Sequence, residues 1–212
     1  MKKISVILIL NIALLGLSVA QSFEGIIDFK KTSTIDTNKY VYYIKGDKVR
    51  IDEIDSKTKK AAGSFIIDLK LGKMTSLSHE RKLYMDQKPG VPAVVNGTPE
   101  VTKTKNIKTI QGIKCTEYIV KNKNENTEIS YFISSTGKYD FFEKLLKLLN
   151  RKDKLSSYFL KITGVSGLFP FVAIQRTLDG KETARIETMK IEKKTLDASL
   201  FEIPKDYNKF DK

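Results

Sequence analysis

Residues 169–204, FPFVAIQRTLDGKETARIETMKIEKKTLDASLFEIP, decide the fold. Two runs that alternate apolar and polar side chains flank Asp179-Gly180, a pair suited to a tight β-hairpin. Val172, Ile174 and Leu178 share one face of the first run, and Ala184 and Ile186 share one face of the second. Met189 and Ile191 fall on the other face of that second run. A β-bulge near Glu187–Met189 is therefore expected to return both to the core and to bend the sheet. A half-buried sheet face needs a cover, and a strongly bent sheet is what a half-closed barrel requires. Leu196, Leu200, Phe201 and Ile203 then lead to Pro204, which ends the pairing.

Working outward, the upstream chain supplies more hairpins of the same kind. Phe23 to Lys31 reads as a strand with Phe23, Ile27 and Phe29 on one face and Gly25 between them. Lys39 to Ile54 is the clearest hairpin. A two-residue loop at Gly46-Asp47 puts Ile44 opposite Val49 and Tyr42 opposite Ile51, with Tyr43 and Arg50 stacked on the other face. Phe65, Ile67 and Leu69 alternate before Gly72, and Met74 to Leu77 returns. Leu83 to Met85 is a short strand, and 87–105, with three prolines, reads as an irregular connection. Ile107 to Val120 folds about Gln111-Gly112, and Ile129, Tyr131 and Ile133 share a face of the next strand.

The cover is a helix over Tyr139 to Arg151. Tyr139, Phe141, Phe142, Leu145, Leu146, Leu148 and Leu149 fall on one arc, with charged residues on the other. Asp140 and Glu143 have the spacing of a capping box. Leu155 to Leu160 extends the helical region before Gly164, Gly167 and Pro170 break it.

Residues 1–20 read as a signal peptide: Lys2 and Lys3, an apolar run from Ile4 to Leu17, then Ser18-Val19-Ala20 with small residues for cleavage after Ala20. Fourteen residues, apolar apart from Ser5, Asn11 and Gly16, are short against the ~20 of a spanning helix. The expected product is exported to the periplasm or secreted, as a single β domain over 21–212. Of the charged side chains 38 are Lys or Arg and 25 are Asp or Glu, a net +13. Export argues against nucleic acid, and lysines scattered over strands suit solubility and edge protection. Peripheral attraction to an anionic envelope surface is the sharper reading of the same charge. Cys115, the single cysteine, lies in an alternating run and is expected to be buried.

No catalytic constellation stands out. The one histidine, His79, sits in a charged tip and reads as an exposed turn residue. Zinc needs more His or Cys than the chain holds, and the Asp52, Glu53, Asp55 group lacks calcium-loop spacing. No metal or cofactor is expected, and the chain is not expected to be an enzyme.

The residues thus give a meander of about ten antiparallel strands with one apolar helix near residue 145. The segments YYIKGDKVRID, SFIIDLKLGKM, TIQGIKCTEYIV and LDASLFEIP resemble an exported bacterial domain family of unknown function, grouped with the LolA/LolB-like lipoprotein carriers. That resemblance implies a mainly β (α+β) fold, an open antiparallel half-barrel with one or two helices packed on its concave face. It also implies a periplasmic binding or carrier protein for a lipid or acyl chain. The alternative is an envelope interaction or sensor module that uses strand edges or the proline-containing loop. The candidate cavity lining is Tyr42, Ile44, Phe65, Ile67, Phe142, Leu146, Ile174 and Ile186, the same residues that an ordinary filled core would use.

Overall fold

A computed structural model describes residues 22–150 and 152–210. The expected signal peptide lies outside the described residues. The described residues form one open sheet of twelve strands, two more than the ten or so expected from the sequence. In chain order these are β1 (Gly25–Ser33), β2 (Thr37–Lys45), β3 (Lys48–Ile54), β4 (Ala61–Asp68), β5 (Lys73–Ser78), β6 (Leu83–Gln87), β7 (Glu100–Ile110), β8 (Ile113–Asn122) and β9 (Thr127–Ser134). They continue with β10 (Pro170–Arg176), β11 (Glu182–Lys193) and β12 (Asn208–Lys209). Across the sheet the order is β12-β6-β5-β4-β3-β2-β1-β11-β10-β9-β8-β7. Two meanders, β1–β6 and β7–β11, therefore meet at the antiparallel β1–β11 pair.

The β2–β3 hairpin keeps the register read from Gly46-Asp47, with Ile44 opposite Val49 and Tyr42 opposite Ile51. Arg50 stands 6.0 Å from the Tyr43 ring centre. Two expectations near the last hairpin need correction. Val172 pairs with Glu187, and Ala173 with Ile186. That register opposes even-numbered residues to odd-numbered ones, so Val172 and Ile174 lie on the face away from Ala184 and Ile186. Leu178 sits in the turn and is exposed. The bulge does form, because Asp28 pairs with Lys190 and Phe29 with Thr188, which skips Met189. Ile191 returns to the core opposite Ile27, but Met189, the looped-out residue, stays half exposed.

Gly25 marks a close approach in that same ladder. Its φ is +148°, and a Cβ there would stand 2.0 Å from the Glu192 carbonyl oxygen. No other residue type fits without displacing backbone.

Helices α1 (Asp140–Leu149) and α2 (Lys154–Phe159) cover one face. Phe141 and Leu145 of α1 join Ile27, Tyr42, Ile44, Val49, Ile51 and Ile67 in one apolar cluster. Leu155, Tyr158 and Phe159 of α2 join Ile129, Tyr131, Ile133 and Ala173 in a second. The capping box does not form. Tyr139 is the N-cap, so Asp140 is already inside the helix, where it accepts from Ser22 Oγ at 3.0 Å. Glu143 pairs instead with Lys147. Asn150 ends α1 in the left-handed conformation that asparagine tolerates, and Asp153 caps α2 through the Ser156 amide.

Residues 100–105, expected as loop, belong to β7, the outermost strand. Its ladder breaks between Lys103 and Ile107, where Thr104 and Asn106 side chains donate to Glu117. A broken ladder set with lysines is a poor template for another strand. At the other end of the chain, residues 194–210 cross the face opposite the helices and finish as β12 beside β6.

Candidate functional site

Between the helices and the sheet lies an apolar cavity of about 60 Å³. Phe29, Tyr40 and Tyr42 come from β1 and β2, Tyr131, Ala173 and Ile186 from β9–β11, and Phe142, Leu146, Leu149 and Leu155 from the two helices. Phe169 and Pro170 close one side. Lys31, Asp153, Ser156 and Thr188 bring polar groups to the wall. A water needs ~10–15 Å³, so the space holds roughly four; a ~150 Å³ cavity is known to hold benzene. The cavity as it stands seats the tip of a chain, and a longer guest requires the helices to move outward.

The helices are held by a few specific ties. The Tyr131 hydroxyl donates to the Leu155 carbonyl at 2.8 Å, and burial drives its pKa well above the usual phenol range. Tyr158 donates to Glu125 and accepts from Asn122, and burial likewise raises its pKa. Both tyrosines therefore remain neutral donors at any ordinary pH.

Of the eight residues singled out from the sequence, Tyr42, Phe142, Leu146 and Ile186 stand together on this wall. Ile44 and Ile67 are fully buried in the solid cluster beneath α1, away from the cavity. Phe65 packs at the margin of that cluster. Ile174 is buried on the opposite face, by the register described above. Tyr40, Tyr131, Phe169, Ala173 and Thr188 were missed. Phe169 was legible as an apolar residue beside Pro170, but its contact with three helix aromatics is a tertiary fact.

Roomier surface clefts of about 370 and 430 Å³ flank Phe23, but Lys138, Lys193, Lys194, Asp47, Asp140 and Lys144 contribute to their walls. An apolar guest would gain little there.

His79 is not the exposed turn residue expected. On the helix-free face, its Nε2 lies 2.6 Å from Ser64 Oγ and its Nδ1 2.6 Å from the Tyr207 hydroxyl. Ser64 Oγ donates to Asp52 at 2.6 Å, and Arg50 holds Asp52 through Nε at 2.7 Å. Burial, then the nearby Arg50 charge, lowers the His79 pKa. A hydrolase triad puts its carboxylate on the histidine and its serine at the surface. Here the carboxylate sits on the serine, and Ser64 is 2% exposed. The arrangement fastens the chain rather than presenting a nucleophile. Cys115 is also withdrawn: it is fully buried, and burial pushes its thiol up to about 11. Among the described residues no group of three His, Cys, Asp or Glu is placed to hold a metal.

The family model described as a domain of unknown function, DUF4412, matches residues 23–207. No curated protein is significantly similar to the chain. An uncharacterised conserved protein from Thermus thermophilus shares the fold at a TM-score of 0.51 and 7% identity, over 88% of this chain and 90% of that one. The structure of a Pseudomonas aeruginosa MucA/MucB complex matches at 0.50 and 8% identity, over 87% of this chain. This chain spans only 56% of that one. A domain from Vibrio parahaemolyticus, provisionally described as sorting outer membrane lipoproteins, matches at 0.33 and 8% identity over 84% and 87%, a score that carries no argument. At such identities the likenesses show the fold alone.

Proposed function

The chain belongs to the DUF4412 family, and from that premise we propose that it is an exported, non-catalytic binding protein for an apolar ligand such as a lipid or acyl chain. The observation that carries this reading is the apolar cavity between the open sheet and two short helices, and the sequence resemblance to the LolA/LolB-like carriers supports it. Each methylene taken from water into such a space contributes ~0.8 kcal/mol, so a single chain gives useful affinity once the helices part to admit more than its tip. Periplasmic or extracellular location follows from the N-terminal segment read above. The net charge of +13 suits contact with an anionic envelope surface.

The test is direct. Protein purified under native conditions is extracted and its bound material weighed by mass spectrometry. A fluorescent acyl probe is then titrated into wild type and Ala173→Leu, which fills the cavity. The reading expects co-purified lipid or probe binding, and weakening of that binding in the filled variant at unchanged secondary structure. No bound chain in either experiment overturns it.

A second reading, an envelope interaction module, is favoured by one observation. Val101 and Ile107 on the edge strand β7 stand 40% and 60% exposed, apolar side chains that a partner could cover. The Pseudomonas neighbour is itself recorded in a complex with another protein. Substitution of Val101 and Ile107 by Asp would then abolish capture of a partner from envelope extracts while leaving lipid binding intact.

A further inference from the structure

We propose that the cavity selects an amphiphile with an anionic head, and that Lys31 is the residue that reads it; the inference rests on the apolar-ligand reading above. Among the described residues Lys31 is the one basic side chain on the cavity wall. It lies at the β1 position paired with Ile186 on one side and Asn38 on the other, so it shares the helix-covered face with Ile186, itself a wall residue. Its chain neighbour Lys30 points the other way and is paired with Glu187 at 3.3 Å. Lys31 has no carboxylate partner among the described residues.

The one acid on the wall is already committed. Both oxygens of Asp153 are used within α2, one by the Ser156 amide and one by the Ser156 hydroxyl, each at 3.0 Å. Its oxygens are turned to the start of that helix, and among the described residues no ion pair joins it to Lys31. A guest that places a carboxylate or phosphate beside the Lys31 ammonium, at the edge of the greasy wall, gains a charge-assisted hydrogen bond. The chain of the same guest then fills the gap among Phe29, Tyr42, Phe142 and Leu146. A neutral or cationic amphiphile of equal length gains the apolar contacts but not the ion pair.

The experiment compares decanoate, decyl phosphate, decanol and decylammonium, below their micellar concentrations, by displacement of a fluorescent acyl probe from the full protein. Wild type should bind at least one of the two anions roughly fivefold more tightly than decanol, with the advantage shrinking as salt rises. Lys31→Met should erase the difference between anion and alcohol while retaining decanol binding, and Lys31→Glu should favour decylammonium. Preference for decanoate over decyl phosphate, or the reverse, tells a free carboxylate from a phosphate head. Equal binding of anion and alcohol by wild type, or a Lys31→Met variant that keeps the anion preference, overturns the assignment and leaves the apolar reading standing. Failure of all four to bind overturns both. If Lys31→Met melts early, the salt dependence in wild type decides alone.

Discussion

On the face that carries the helices, side chains meet as a dry aromatic layer: the Phe169 ring lies 4.8 Å from Phe142, 5.5 Å from Phe171 and Tyr139 and 6.2 Å from Phe141. On the opposite face the chain from Leu196 onward is laid over polar groups, each satisfied by a named partner. Glu24 accepts from the Leu196 amide and Lys45 donates to the Leu196 carbonyl. Arg50 donates to the Leu200 carbonyl, and His79 meets Tyr207. The two closures differ in what they tolerate. Dispersion contacts are individually small and non-directional, so an aromatic layer can yield room for a guest. Buried hydrogen bonds are directional, and one broken partner strands the rest. The first closure can therefore part without stranding a polar group, and the second cannot.

The largest expected effect breaks the dry face. Phe169→Ala should cost about 3–5 kcal/mol in urea unfolding, because it deletes a ring that touches four others. A loss under ~1 kcal/mol would show that the layer is already loose. Next, Asp52→Ala leaves Arg50 beneath the C-terminal segment without its carboxylate, with side-chain exposures of 15% and 7% in the intact pair. A loss of about 2–3 kcal/mol is expected, and Asp52→Asn should recover part of it. If both variants melt with wild type, the polar closure is ornamental.

A smaller effect concerns pH. Because the folded protein holds His79 below its ordinary value, the unfolded chain binds the proton more readily. This contribution to stability is complete above the ordinary histidine range near 6.5 and is lost as pH falls from there through the lowered value. The groups that face the ring are Arg50, Asp52, Ser64 and Tyr207. The hydrogen-exchange protection factors of the Asn208 and Phe210 amides, bonded to Lys82 and Tyr84 carbonyls, should fall at pH 5.5 by more than those of helix α1. His79→Gln should remove that difference. Smallest of all, Lys82→Ala breaks an ion pair whose partners are 62% and 60% exposed, and should leave the unfolding midpoint unchanged.

How much of this was legible in the sequence follows the same division. The β2–β3 register was readable from Gly46-Asp47 because loop type and alternation both act over neighbouring residues. The apolar arc of α1 was readable for the same reason. The capping box failed because Tyr139 took the cap position, one residue earlier than its spacing required. Ile174 was placed with Ile186 because alternation within each run does not say which set faces which; the pairing parity does. Four of the eight candidate residues line the cavity, since amphipathic patterning marks an apolar face but cannot tell a filled stretch, such as Ile44 and Ile67, from a gap beside Tyr42 and Leu146. The fastening was invisible: Asp52, Ser64, His79 and Tyr207 are brought together from four separate elements, and no short-range pattern records such a meeting.

The withdrawn thiol has a practical consequence. Cys115 is fully covered and its proton is tightly held, while alkylating reagents attack only the exposed thiolate. Labelling of the intact protein can therefore proceed only through excursions in which β8 comes apart. The rate at which iodoacetamide consumes this one sulfur is a built-in gauge of how often the molecule opens, and a guest that braces the sheet would slow that clock without touching the sulfur itself.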